Sequence, residues 1–382
     1  MKVALHTVDL FPGRERLMPF RTLLEVAKVM NCHGWEAEVV NSSVSMKGAE
    51  DFEWQGVCVR QCPRDFRQLS RWVNDRGFDA FFFAATIREG LRSVDGFNEM
   101  KCRKIAYVPS GITPKQNALW LMRMYGLFAK AWVLEAFTPK SWIVRKLHKA
   151  GFSDVIGLTE YTTDRLGDSL SPHTVYPGKD GFEDMEPDFS IVAKHGLQNK
   201  KFFLFTGAPG EVRGSQVLLK AFDKLADSHS DARIVFLMRN DVGAQYDAFF
   251  KALNGLMHKE NVMVLRESLT VPQLKAFMME AYAVVLPFIC IPAEVPITYY
   301  EVMSCGTPVV SFPNAGTTDY LKDGLKITDG LGVKPLAKAL RELWCSPEER
   351  AVLGKQAAGI MERHPAWEQV GQEWMDVIQN GI

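Results

Sequence analysis

Leu286-Pro287-Phe288-Ile289-Cys290-Ile291-Pro292-Ala293-Glu294-Val295-Pro296-Ile297-Thr298-Tyr299-Tyr300-Glu301-Val302-Met303-Ser304-Cys305-Gly306-Thr307-Pro308-Val309-Val310 is the stretch from which the rest of the chain can be read. The apolar run from Ala283 to Phe288 predicts a buried strand, and an irregular loop follows it. A helix is expected to open at Pro296, since proline favours the first helical position. The stop Cys305-Gly306-Thr307-Pro308 then ends the helix before a second buried strand, Val309 to Phe312. Behind Pro296 the amides of Ile297 and Thr298 are left free at a helix N-terminus, a natural anion site. Glu294 stands just outside that end and Glu301 lies inside the helix. Backbone amides for a diphosphate, with carboxylates for sugar hydroxyls, together suit a nucleotide-sugar.

The same alternation runs outward in both directions. In the first half Val3 to Thr7, Glu36 to Val40, Val57 to Arg60, Ala80 to Ala84, Ile105 to Val108 and Asp154 to Leu158 read as strands. Helical spacing separates them at Phe20 to Met30, at 64–76 and at 89–100. A boundary falls at His173 to Phe182, and the alternation restarts with the strand Phe202 to Thr206. Strands separated by helices imply parallel, doubly wound sheets. The expected fold class is therefore α/β, with two doubly wound Rossmann-like domains facing across a shared cleft. The domains are expected at 1–176 and 190–364, joined by a linker at 177–189.

Thr206-Gly207-Ala208-Pro209-Gly210-Glu211-Val212-Arg213-Gly214 follows a strand and precedes the helix Gln216 to Ala226, with Ser215 as its expected N-cap. Gly207 and Gly214 let the backbone approach a ligand, and Arg213 offers a bidentate cation for a diphosphate. Arg239 and Arg266 end the next two strands, and the carboxyl ends of parallel strands face one cleft. The loop Asn314-Ala315-Gly316-Thr317-Thr318-Asp319 ends another.

On these residues the chain resembles the retaining glycosyltransferases of family 4, which have the GT-B fold. The segment around Glu294 and Glu301 resembles their paired-glutamate signature. Six residues separate the glutamates here, where the family usually has seven. Gly207, Arg213-Gly214 and Ala221-Phe222 fall in the register of the family's phosphate loop. Arg213 then takes the place of the family lysine, while Ala208 stands where the family has arginine; Arg239 is the candidate replacement. The resemblance implies that Glu294 binds donor sugar hydroxyls and stabilises positive charge near the anomeric carbon. It implies that Glu301 binds the nucleotide ribose, with Arg213 and the Ile297–Thr298 amides on the leaving diphosphate. Pro296, Gly316 and Thr317 complete the donor side, and Arg266 is a candidate for stacking on the nucleobase. In the first half Ser110 holds the position usually given to histidine. Arg14 and Arg16, in the loop after the first strand, are assigned to the acceptor side or to the donor phosphates. The C-terminal helix, about 365–382, is expected to pack back on the first domain.

Composition bounds the alternatives. Apolar residues make up 47% and charged residues 24%, as in soluble globular chains. The formal net charge of zero argues against bulk nucleic-acid binding. The halves differ: residues 1–175 carry 24 Lys/Arg against 19 Asp/Glu, or +5, leaving 21 against 26, or −5. Residues 119–150 mix aromatics with cations, as a membrane-surface helix does, although a core stripe with a solvated face is the commoner origin of that pattern. The acceptor classes that remain are a glycan, a lipid-linked glycan and a small molecule, with peripheral membrane contact left open. Seven cysteines at scattered positions fit reduced thiols in a cytoplasmic protein, either free or peripheral at the inner face of the membrane. No signal peptide or membrane span is read. No Asp-x-Asp holds a metal, so neither metal nor cofactor is expected. A non-catalytic nucleotide-sugar-binding partner and a sugar-nucleotide epimerase of related fold are the alternatives.

Overall fold

The computed structural model describes residues 1–380 apart from 19, 44–49, 86–90, 92, 168–169, 241 and 292–293. Its first sheet contains β1 (Lys2–Val8), β2 (Glu36–Ser42), β3 (Phe52–Trp54), β4 (Val57–Gln61), β5 (Ala80–Ala84), β6 (Arg103–Val108), β7 (Asp154–Gly157) and β8 (Ser171–Thr174). The strand order is β3-β4-β2-β1-β5-β6-β7-β8, parallel throughout except for the antiparallel pair β3–β4. The second sheet contains β9 (Phe203–Thr206), β10 (Ile234–Leu237), β11 (Val262–Leu265), β12 (Ala283–Leu286), β13 (Val309–Ser311) and β14 (Leu325–Ile327). Its order is β11-β10-β9-β12-β13-β14, and the pairs are parallel.

Helices cover both faces of each sheet, so the central strands are buried on both sides and read as continuous apolar runs. All five residues of β5, Ala80-Phe81-Phe82-Phe83-Ala84, are buried for this reason. The order reverses between β1 and β5 in one sheet and between β9 and β12 in the other. Loops leaving the carboxyl ends of strands at such a reversal line the binding crevice of a doubly wound sheet. In the second sheet those loops carry Arg213 and Glu294.

The chain passes between the domains twice, and the two passages are clasped together. Lys179 N–H donates to Pro365 O at 3.1 Å, and Trp367 Nε1 donates to Asp180 at 2.7 Å. The helix Trp367–Gln379 then lies on the first domain, where the buried Trp374 packs 4.9 Å from Phe82 and 5.0 Å from Tyr107. Gly371 sits so close to Val29 that a Cβ would not fit. In return, the helices Lys115–Tyr125 and Lys130–Ala136 and the 3-10 helix Gly126–Ala129 between them send Ala118, Leu121, Ala129, Trp132 and Ala136 into the hydrophobic cluster of the second domain.

Three sequence expectations change here. Of the helix expected at 89–100, the described part contains a 3-10 helix at Val94–Glu99. Gly96 in its middle packs directly on Phe66, an approach that a side chain would prevent. The stretch 119–150 is divided among three helices, the third being Lys140–Lys149, by Gly126 at φ +58° and by Pro139. Pro296 is the N-cap of the helix Ile297–Ser304, with ψ 135°, and not its first residue.

Candidate active site

The phosphate-loop candidate is built by its glycines. Gly207 has φ +113° and Gly214 φ +67°, conformations that L side chains rarely adopt. A Cβ on Gly214 would collide with the carbonyl of Pro287, so glycine lets this loop press against the one leaving β12. Ile289 N–H donates to Val212 O at 2.8 Å and joins the two loops. Ser215 does not cap the helix that it begins. Its Oγ accepts from Gly210 N–H at 3.1 Å and braces the loop, while Gly214 in the left-handed region is the cap residue.

Arg213 folds back over Gly207, one guanidinium nitrogen lying 2.5 Å from where a Cβ would stand. Burial first, and then the neighbouring Arg239 cation, lower its pKa. Arg213, in the loop after β9, and the exposed Arg239, just after β10, thus place two cations on one side of the cleft, an arrangement suited to a multiply charged anion. Arg266 lies over the rings of Tyr246 and Phe250, at 5.4 and 5.8 Å, on the helix Ala244–Asn254.

Glu301 is buried in the helix Ile297–Ser304, and burial pushes its pKa up to about 7. The opposing influence is Arg16 from the first domain, whose guanidinium lies 3.5 Å from the carboxylate. Arg16 therefore stands at the residue assigned to the ribose, not on a separate acceptor face. Arg14 is exposed and folds over its own loop, donating to Asp9 O at 3.3 Å with its guanidinium over Phe11. The amides of Ile297 and Thr298 open the same helix, half-buried.

Glu294 has no exposed surface. Its carboxylate accepts from Thr159 Oγ1 at 2.6 Å, Thr162 Oγ1 at 2.9 Å and Gly316 N–H at 3.0 Å. Burial raises its pKa to about 7, and these three donors oppose the rise. The backbone of the same residue reaches the first domain again, Glu294 N–H donating to Pro109 O at 2.9 Å. Thr317 Oγ1 accepts from Val295 N–H at 3.0 Å and holds that residue at φ +54°. Gly316 and Gly111 pack on the carboxylate so tightly that a Cβ at either position would strike it. Ser110 is buried in the same loop after β6.

Sequence reasoning singled out Glu294, Gly316 and Thr317 but missed Thr159, Thr162 and Gly111, which complete this cluster. It also missed Asn117, whose Nδ2 donates across the cleft to Ile289 O at 2.7 Å and Pro313 O at 2.8 Å. The loop expected at Asn314–Asp319 is the start of the helix Ala315–Leu321, with Asn314 as its N-cap residue. A cavity of about 680 Å³ opens between the domains beside these elements, lined among others by Lys115, Tyr161, Arg165 and Asn314. Among the described residues no group of three or more His, Cys, Asp or Glu lies together as a metal site. No described helix is long and apolar enough to cross a membrane.

Residues 188–359 match the family model described as glycosyl transferases group 1. The chain is 27% identical over 248 residues to spore coat protein SA of Bacillus subtilis, covering 59% of this chain and 63% of that protein, less than two thirds of its length. Among solved structures, sucrose-phosphate synthase from Thermosynechococcus elongatus superposes with a TM-score of 0.78 at 12% identity, over 99% of this chain and 98% of the other. Anabaena HepE in complex with UDP gives 0.73 at 13% identity over 100% of both chains. WaaG, a glycosyltransferase involved in lipopolysaccharide biosynthesis, gives 0.67 at 14% over 98% and 99%. At such identities the structural likeness is one of fold. The chain thus has the GT-B fold of glycosyltransferases, and its residues 188–359 match the family model of glycosyl transferases group 1.

Proposed function

We propose that this protein transfers a sugar from a nucleotide-diphosphate sugar to an acceptor, with retention of configuration and without a metal, as a retaining glycosyltransferase of the family 4 type. The observation that carries the reading is the convergence of Arg213 and Arg239 at the strand ends of a domain whose next cleft loop presents Glu294 and Glu301. The two guanidiniums and the Ile297–Thr298 amides would take the diphosphate, offsetting the charge that a metal ion offsets elsewhere. Glu301 would accept from the ribose hydroxyls, and Arg266 would stand against the base. HepE binds UDP and, in another structure, UDP-glucose, which makes a UDP-sugar the first donor to test.

Glu294 gives the reading its mechanism. Thr159 and Thr162 donate to its carboxylate in the way that two sugar hydroxyls would. A donor sugar would exchange with these threonines, and the carboxylate would then stabilise positive charge developing at the anomeric carbon. The acceptor, a glycan, a lipid-linked glycan or a small molecule, would enter by the interdomain cavity, where Lys115 and Arg165 favour an anionic group. Seven scattered cysteines, read as reduced thiols, suit a cytoplasmic setting.

A panel of UDP-, GDP- and ADP-sugars, assayed for released nucleotide with and without EDTA, tests the proposal. Release from one nucleotide class, unchanged by chelator, is the expected result. Tight binding of a sugar nucleotide with no release under any acceptor would instead favour a non-catalytic binding protein, a reading that the sealed Glu294 and Ala208 also fit.

A further inference from the structure

The three short α-helices between β6 and β7, with the 3-10 helix Gly126–Ala129 among them, carry a surface that the transfer reading uses only at Lys115. Among the described residues, thirteen large apolar side chains are exposed, and six of them fall within 119–137: Leu119, Met124, Leu127, Phe128, Leu134 and Phe137. Leu127 is 84% exposed. These side chains lie opposite Ala118, Leu121, Ala129, Trp132 and Ala136, which hold the helices on the second domain. The core therefore accounts for one face of this segment only.

Cations outnumber acids on these helices. Residues 115–149 contain seven Lys/Arg and one acidic residue, Glu135. Glu135 is buried, accepting from Thr113 Oγ1 at 2.8 Å. Lys115, Leu119 and Arg123 follow one another at i, i+4 and i+8 on the outer face of the first helix, and Lys130 and Leu134 repeat the spacing on the second. The Lys115 ammonium lies 5.2 Å from the centre of the Phe137 ring. The third helix adds an open groove of about 1030 Å³ lined by Lys140, Arg145, His148 and Lys149. Cations interleaved with exposed aliphatic and aromatic groups fit an interface that is anionic at its surface and apolar just beneath.

We infer that Leu119, Met124, Leu127, Phe128, Leu134 and Phe137, with Lys115, Arg123 and Lys130, form a docking surface for an anionic lipid bilayer. The apolar side chains enter the headgroup boundary, and the cations remain at the phosphates on their flexible stems. Asn117, on the first of these helices, is bonded across the cleft to Ile289 O and Pro313 O. Docking therefore brings the rim of the cleft to the membrane, where a lipid-linked acceptor would be held; that last step rests on the transfer reading, whereas the docking does not.

Co-sedimentation with vesicles of phosphatidylcholine, with and without phosphatidylglycerol, tests the surface directly. Binding is expected to require phosphatidylglycerol and to weaken with salt. The double variant Leu127→Ser, Phe128→Ser should lose about tenfold or more in affinity, and so should Arg123→Glu, Lys130→Glu. All four positions are exposed, so circular dichroism and melting temperature should match the parent protein. Absence of lipid-dependent binding, or binding equal in parent and variants, overturns the inference. A concentration-dependent dimer that the Leu127, Phe128 double variant dissolves would assign the face to a second copy, and overturns it as well.

Discussion

Thr159 Oγ1, in the first domain, donates a 2.6 Å hydrogen bond to the carboxylate of Glu294, in the second. With the bond from Thr162 at 2.9 Å it makes the residue assigned to the donor sugar part of the fastening between domains. Donor engagement and domain position are thus coupled through one buried carboxylate, which cannot satisfy both sets of hydroxyls at once.

The first prediction follows from that fastening. Thr159→Val keeps the shape but removes a donor from a buried acid, at a cost on the order of 1–3 kcal/mol. Thr159→Ser retains the hydroxyl and should cost much less. Denaturant midpoints of the three proteins decide the matter. Equal stability of Thr159→Val and the parent would mean that the bond contributes nothing to holding the domains.

How much of this was legible beforehand differs between parts of the molecule. The central strands were, because burial on both faces leaves a continuous apolar run such as Phe81-Phe82-Phe83. The edges were not. Ser171-Pro172-His173-Thr174 forms β8 with two exposed residues and a proline, a composition tolerated only at a sheet edge. The hairpin β3–β4 turns through Gln55 at φ +47° and Gly56 at φ +83°, a two-residue loop with a weak sequence signal. In the candidate site, Gly207, Arg213 and Glu301 were singled out from local spacing and the family resemblance. Thr159 and Thr162 could not, because they belong to the cluster only through the docking of two domains, 135 and 132 residues away from Glu294 in the chain.

The paired cations give a second prediction. Arg213→Ala should weaken UDP binding by roughly 1.5–3 kcal/mol, the usual contribution of a hydrogen bond to a charged group. Because burial, and after it Arg239, already disfavours charge on Arg213, the same substitution should not destabilise the protein in the absence of nucleotide. Calorimetry with UDP, alongside melting temperatures without it, separates the two effects. Unchanged affinity would remove the loop 207–214 from the donor site.

Glu301 makes a prediction about pH. Burial raises its pKa from 4.5 in an ordinary setting to about 7 in the fold. The folded protein therefore holds a proton between those values that the unfolded chain has released. Stability due to this group is full below pH 4.5, falls as pH rises, and is lost above about 7. Glu301→Gln removes the titration and should stabilise the nucleotide-free protein above neutral pH by roughly 1–3 kcal/mol. Melting temperatures of the two proteins should converge near pH 4.5 and separate toward pH 7. Parallel curves over that window would place the carboxyl in a more solvated setting.

The last prediction divides the labour of the two glutamates. A group that binds the nucleotide equally in ground and transition states changes KM, whereas one that acts on charge developing at the reacting carbon changes kcat. Glu301 lies inside the helix beside Arg16 and belongs to the first kind, so Glu301→Gln should mainly raise the donor KM. Glu294 faces the threonines at the domain junction and belongs to the second. In Glu294→Gln the amide keeps the size of the side chain, an acceptor oxygen for Gly316 N–H and polar atoms toward Thr159 and Thr162, so the fold should persist. What it loses is negative charge, and kcat should fall about a hundredfold or more, as with other electrostatic groups aimed at a transition state. Turnover near that of the parent, in a protein of unchanged stability, would leave Glu294 as a domain fastener alone and move the electrostatic role to another residue of the cleft.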